Sequence, residues 1–498
     1  MEPICPIDSS CSNQISLLLN PPSPPQVQKY FEELIKTRQS CGLEVRTNGK
    51  HGKGVYAKVD FKEGDLVLKD PVLFGIQHSS NKMDCLVCSH CFQFIGSVEL
   101  QIGRKLYLRN LADASGSNSG KRKFSSALKD CSGQCNESRD HGDSDVEEYD
   151  VDRCGLSDSK SNTNVIPKDV IDSLMEGGLK LPHSDIVSLP AVVSCPGKCK
   201  EAYYCSQSCA EADWNLYHSL LCTGKGSKSL STEALSVFIQ HANETNDIFL
   251  LAAKVISFTI LRYRKLKTVY FEEKEKHDAP SILGSCNFSL LLEAWEPVSM
   301  GYKRRWWNCI SLPDDVDCHD EVAFRLQIKK LAFTSLQLLK AAIFDKECEP
   351  LFSLEIYGHI IGMFELNNLD LVVESPVENY FLYIDDLPDS EKEKAEKVTE
   401  SFLDALGDEY SGCCEGTAFF PLQSCMNHSC NPNAKAFKRE EDRDGEAVLV
   451  ALQPIHKGEE VTISYIDEEL PYEERQSLLA DYGFRCRCPK CLDEELPS

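Results

Sequence analysis

The sequence predicts an α+β fold: short strands from both ends of the chain form one β structure, and a cysteine-rich finger and a helical stretch interrupt it. Three observations point there. Two strand–turn–strand pieces far apart, "GKGVYAKVDFKEGDLVLKDP" and "VLVALQPIHKGEEVTISYI", echo each other at Phe61-Lys62-Glu63-Gly64-Asp65 and Ile455-His456-Lys457-Gly458-Glu459. Cysteine and histidine recur at metal-ligand spacing from Cys88 to Cys222, and again from Cys430 to Cys491. Leu, Ile and Phe recur at helical spacing from Thr232 to Phe271 and from Glu321 to Phe344.

Taken in order, residues 1–25 are rich in Pro, Ser and Asn, end in "PPSPP" and predict a disordered lead. Gln26 to Gln39, with Phe31, Leu34 and Ile35, predicts a short amphipathic helix. Residues 40–82 form the first half of the β structure, with a turn at Lys62-Glu63-Gly64. The finger spans 83–223. Within it, about 110–164 is rich in Ser, Gly, Asp and Asn, and too poor in large apolar residues to offset the entropy of ordering. A helical insert covers 224–355. The second half of the β structure covers 356–470, with a strand end at Leu382–Asp386 and a charged helix over Asp389–Leu406. A cysteine-bearing tail closes at 471–498.

Composition narrows the function. The chain has 498 residues, 42% of them hydrophobic, which suits a packed core. Its 78 acidic against 53 basic residues, a net charge of -25, argue against broad affinity for the nucleic-acid backbone and favour basic protein tails. No early apolar run has the length of a signal peptide, and none approaches a membrane span. A reducing compartment is therefore expected, with its 25 cysteines serving as ligands or free thiols. Those outside the ligand series, such as Cys286, Cys309 and Cys348, read as small buried apolar residues.

The ligand series is specific. "CSHC" supplies Cys88 and Cys91, with Cys85-x2-Cys88 as a competing register. "CPGKCKEAYYCSQSC" supplies Cys195, Cys199, Cys205 and Cys209, and "WNLYHSLLC" supplies His218 and Cys222. Eight ligands suffice for two closed tetrahedral sites. Cys205-x3-Cys209 and His218-x3-Cys222 each predict two ligands one helical turn apart. Cys430 with Cys486, Cys488 and Cys491 makes a third set, so three zinc ions are expected.

Around that third set lie Asn427-His428-Ser429-Cys430-Asn431-Pro432-Asn433, Tyr465 in "EEVTISYID", and Tyr482 and Phe484 in "DYGFRCRCPKC". Here the chain resembles the SET-domain lysine methyltransferases. It is most similar to the SMYD branch, in which a MYND zinc finger interrupts the SET domain, and to plant trithorax-related methyltransferases of that type. The resemblance implies that the tail is a zinc-binding post-SET segment. It implies interleaved zinc ligation in the finger: Cys88, Cys91, Cys205 and Cys209 at one ion, Cys195, Cys199, His218 and Cys222 at the other. It implies S-adenosylmethionine as cofactor, contacted by His51, Gly52, Lys53, Asn427, His428, Tyr465 and Phe484. Tyr465 becomes the catalytic tyrosine and Tyr482 a second aromatic of the lysine channel. Asn368 or its neighbour Asn367 would add a polar pocket group.

The implied activity is methylation of a protein lysine, on a basic tail such as that of a histone. The implied location is the nucleus, with room for a cytoplasmic pool. "KRK" at 121–123 reads as an import signal or a solvated loop. The finger implies protein partners; neither direct nucleic-acid binding nor membrane association is expected. Two other classes compete. An interaction adaptor with an inactive SET fold would be free to lose Asn427, His428 and Tyr465. A zinc hydrolase needs an open metal position, which three four-ligand sets do not leave.

Overall fold

In the computed structural model, which describes residues 2–48, 52–116, 166–275, 283–313, 318–438 and 442–495, the two echoing pieces meet. Phe61 and Ile455 exchange backbone hydrogen bonds, each 2.9 Å. Gly64 N–H donates to the Ala451 carbonyl (2.8 Å) and Gly458 N–H to the Ala57 carbonyl (2.7 Å). Each turn is tied by its own acid: Asp65 accepts from Lys62 N–H, and Glu459 from His456 N–H, both at 2.7 Å. Gly64 (φ 82) and Gly458 (φ 93) hold the left-handed conformation that a side chain resists. The repeat in the sequence is thus a local two-fold arrangement in space.

The strands are β1 Leu43–Asn48, β2 Gly52–Ala57, β3 Leu66–Asp70, β4 Phe74–Gln77, β5 Val193–Ser194, β6 Tyr203–Tyr204, β7 Asn368–Val373, β8 Cys414–Phe419, β9 Asn427–His428, β10 Ala434–Ala436, β11 Ala447–Ala451 and β12 Glu460–Ile463. They form small sheets ordered β1-β2-β12-β9, β10-β11-β3 and β4-β8-β7, with β5-β6 in the finger. Each of the first three joins strands from the two ends of the chain. β12 pairs antiparallel with β2 and parallel with β9, and this places Asn427 and His428 beside Thr462 and Ile463. Val55, Leu68, Leu449, Ile455 and Val461 build the core beneath them, closed by Val27, Phe31 and Ile35 of helix Pro24–Thr37.

The helical insert packs around Trp295, Trp306 and Tyr357, and its core runs on to Phe74 and Ile76 of β4 and Phe419 of β8. The stretch expected over Thr232–Phe271 is two helices, Thr232–Thr245 and Ile248–Glu275, followed by Leu283–Ser299 and Glu321–Ile343. Cys309 and Cys348 are buried as expected. No helix among the described residues is long and apolar enough to cross a membrane.

Three expectations need correction. The lead is ordered from Pro6, as helices Pro6–Ser10 and Ser12–Leu19. Ile7, Cys11, Ile15 and Leu18 recur at helical spacing and bury one stripe in the insert's core. Trp295 Nε1 donates to the Leu18 carbonyl (2.8 Å), and Asp8 accepts from Leu354 N–H (2.9 Å) at the start of helix Leu354–Asn367. Leu382–Asp386 is no strand end: helix Pro376–Asp385 runs there, started by proline at its first position and burying Val377, Tyr380, Phe381 and Ile384. The segment expected to be disordered from 110 opens inside helix Val98–Gly116, whose buried residues include Ile102 and Leu106; 117–164, with "KRK", lies outside the described residues.

Candidate active site

The site is built on the turn that feeds β9. Asp70, wholly buried at the end of β3, accepts from Leu422 N–H (2.7 Å) and Gln423 N–H (2.9 Å) and pairs with Arg38. A buried carboxylate with these three donors fixes the turn Gln423–Cys425, and with it the entry to Asn427.

Asn427 Nδ2 donates to the Lys53 carbonyl (3.1 Å) and to Glu460 Oε1 (2.6 Å). The Gly52-Lys53-Gly54 strand therefore lies against Asn427, as the motifs imply. A β-carbon on Gly54 would stand 2.5 Å from Glu460 Oε1 and 3.2 Å from Asn427 Nδ2, so glycine is needed for that close approach. Gly52 has φ 76 and no such contact. The Lys53 ammonium turns back to the Met300 carbonyl, 5.4 Å from the centre of the Phe31 ring. His51 lies outside the described residues. Asn367 is spent on the protein: its amide bridges both backbone groups of Tyr302 (3.2 and 2.7 Å) and the Met363 carbonyl (2.7 Å). Asn368 opens β7.

Tyr465, Tyr482, Phe484 and His428 gather into one aromatic cluster. Ring centres stand 5.2 Å apart for Tyr465–Tyr482, 6.4 Å for Tyr465–Phe484, 5.4 Å for His428–Tyr465 and 6.0 Å for His428–Phe484. The Tyr465 hydroxyl donates to the Met426 carbonyl (2.5 Å). Burial, then the Tyr482 phenol beside it, pushes the Tyr465 pKa above its ordinary value, so the proton stays on oxygen at neutral pH. His428 makes no free edge to this cluster: Nδ1 accepts from Tyr465 N–H (3.0 Å), and Nε2 lies 3.2 Å from Cys430 Sγ. Burial and Arg475 lower its pKa to about 4, so the ring is neutral.

The three metal sets are assembled as expected. Cys88, Cys91, Cys205 and Cys209 form one, Cys195, Cys199, His218 and Cys222 the second, and Cys430, Cys486, Cys488 and Cys491 the third; in each, the ligand atoms lie within 4.8 Å of one another. Sγ pairs at 3.6 Å (Cys91–Cys205), 3.8 Å (Cys195–Cys222) and 3.5 Å (Cys430–Cys491) match the edge of a tetrahedron with Zn–S near ~2.3 Å. Sulfur and imidazole donors, mostly buried, fit zinc. Cys85 is excluded: its thiol points to the Gly412 and Cys413 carbonyls (3.3 Å each), and burial pushes its pKa up to about 12. The helical spacing of the ligands needs amending. Cys205 precedes the cap Ser206, and a π-turn at Trp214–His218 brings Cys222 to the extended residue after Ser219–Leu221.

Sequence reasoning missed the supporting shell. Glu460 holds Asn427. Gln476 Nε2 lies 3.3 Å from Cys491 Sγ, while its Oε1 accepts from Cys486 N–H (3.0 Å). Arg475, buried, pairs with Glu494 and reaches the same sulfur. Four thiolates around a divalent ion leave net negative charge, which such donors offset. Lys303 donates to the Val298 and Gly301 carbonyls (2.6 and 2.8 Å), and burial with Lys53 nearby lowers its pKa to about 7. The Asn427–Glu460 bond spans 33 residues of chain, so no local motif announces Glu460.

The SET domain family matches residues 52–466, most of the chain. The chain belongs to the SET domain family. Its SET domain encloses the finger and the helical insert, because the two β halves bracket both. The chain is 62% identical, over 99% of itself and 99% of the relative, to "Histone-lysine N-methyltransferase ATXR2" of Arabidopsis thaliana. It is 26% identical to "Protein-lysine N-trimethyltransferase SMYD5" of Gallus gallus over 64% of the chain and 70% of the relative. A SET and MYND domain-containing protein of Dictyostelium discoideum is 43% identical over 16% of the chain and 23% of the relative.

Proposed function

We propose that this SET protein methylates lysine side chains of protein substrates, histone tails first among them, using S-adenosylmethionine. The observation that carries the reading is the aromatic cluster of Tyr465, Tyr482 and Phe484, standing beside Asn427 and the Gly52–Gly54 strand. Asn427, Gly52, Lys53 and Phe484 would hold the cofactor. When bound, it supplies an electrophilic methyl group on a sulfonium centre.

The residues of the chain do the rest. Tyr465 keeps its proton and so is no base. Its hydroxyl is fixed on the Met426 carbonyl, and the pair presents an oriented dipole to an incoming amine. Tyr482 beside it makes a narrow apolar wall. Such a wall favours the neutral amine by lowering the lysine pKa, and suits a slender lysine stem over a broad guanidinium. The net charge of -25 draws basic tails. Three zinc ions hold the finger and the tail, the finger being of MYND type and open to protein partners. A nuclear location follows from a histone substrate.

Labelled S-adenosylmethionine with a panel of histones, and with lysine-to-arginine variants of the modified one, tests the reading. Label on lysine of a histone is expected. Absence of transfer to any protein by zinc-replete enzyme leaves the adaptor reading in its place.

A further inference from the structure

Both nitrogens of the His428 ring are engaged within the protein, and neither is left for a cofactor. Tyr465 lies beyond the last residue of β12, so the sheet offers its N–H no acceptor; Nδ1 of His428 supplies one at 3.0 Å. An accepting Nδ1 places the ring proton on Nε2, which faces Cys430 Sγ at 3.2 Å. One imidazole thus joins a metal-binding sulfur to the backbone of the tyrosine at the centre of the cluster. By chain, Tyr465 is far from the tail cysteines; through His428 it is one side chain from Cys430.

We infer that His428 is a positioning residue: it sets the Tyr465 backbone by its Nδ1 and steadies the tail metal site by its Nε2–H, and its side chain does not contact the cofactor. This deepens the methyltransferase reading and rests on it for the role of Tyr465. It revises the family expectation for this ring. N–H donors to metal-bound ligands typically change metal affinity or activity about 10–100-fold when removed, and that is the size of effect expected here.

Two substitutions separate the two nitrogens. In His428→Asn the side-chain oxygen stands where Nδ1 stood, keeping the acceptor and losing the donor to Cys430. In His428→Gln the longer amide reaches Cys430 and the acceptor beside Tyr465 is lost. Zinc release to a chelator, cofactor affinity by calorimetry, and kcat and KM are measured on the full chain. The Asn variant is expected to lose one of three zinc ions about 10–100-fold faster than the wild type, with turnover reduced less than in the Gln variant. The Gln variant is expected to hold all three ions while kcat falls about 10–100-fold at an unchanged cofactor affinity. Weakened cofactor binding with normal kcat and zinc retention in either variant overturns the inference, as does an equal loss of everything in both. Zinc release is read without substrate, so a wild-type protein that methylates nothing sinks the proposed function and leaves this arm standing.

Discussion

Gly54 offers a sharp test of how the cofactor side of the site is held. In Gly54→Ala the new methyl would lie 2.5 Å from Glu460 Oε1, 3.1 Å from Tyr56 Cε2 and 3.2 Å from Asn427 Nδ2. The Glu460 carboxylate is the tip of a flexible side chain and will yield first. It yields at the cost of its 2.6 Å bond to Asn427. A hydrogen bond to a charged group contributes about 1.5–3 kcal/mol. At about 1.4 kcal/mol per decade, cofactor affinity should fall roughly ten- to a hundred-fold. Titration calorimetry with S-adenosylmethionine on folded, zinc-loaded protein reads this directly. Gly64→Ala is the control. It has φ 82 and open space around it, remote from Asn427, so it should cost about 1–3 kcal/mol of stability through strain alone. Wild-type affinity in Gly54→Ala would refute the placement of Asn427 at the cofactor.

Other consequences follow from the same structure. Elemental analysis should find three zinc ions per chain, and chelation should unfold finger and tail together with activity, since structural zinc contributes about 10–16 kcal/mol in small domains; one ion or none in active protein contradicts the assignment. Leu18→Ala should lower stability by about 2–5 kcal/mol, because Leu18 is 1% exposed in the insert's core; an unchanged melting temperature would return the lead to disorder. Burial raises the Tyr465 pKa, so its proton persists to higher pH than on a free phenol. The kcat profile should therefore show no limb, rising or falling, from this phenol at or below pH about 10; a rising limb near neutrality that vanishes in Tyr465→Phe would make it a base.

The candidate ligand sets are legible because ligand spacing is local. Cys195-x3-Cys199 and Cys486-x-Cys488 carry their meaning in a few residues, and so did the turns around Gly64 and Gly458. The choice between Cys85 and Cys91 was not local: the Gly412 and Cys413 carbonyls, far along the chain, take the Cys85 thiol. The lead was misread because its prolines and serines dominate the composition, while the stripe Ile7, Cys11, Ile15, Leu18 carries the physics. Asn427 was found by its motif, but its partner Glu460 depends on how β12 sits beside β2. For His428 the motif identifies the residue, while the ring's bonds to Tyr465 N–H and toward Cys430 Sγ cannot be read from neighbours in sequence.

In the proposed function an oriented phenol beside an aromatic channel serves methyl transfer to lysine. The direct measurement is turnover of wild type and Tyr465→Phe on a lysine-bearing histone peptide, with product identified by mass spectrometry. The substitution removes the bond to the Met426 carbonyl and keeps the ring, so fold and zinc content should persist. Loss of one preorganised polar group of this kind costs about 2.7–4 kcal/mol, roughly a hundred- to a thousand-fold in rate. Methyl-lysine is expected from the wild type, and a drop of that size in the variant. Equal turnover in the two proteins, or methyl transfer to arginine, would contradict it.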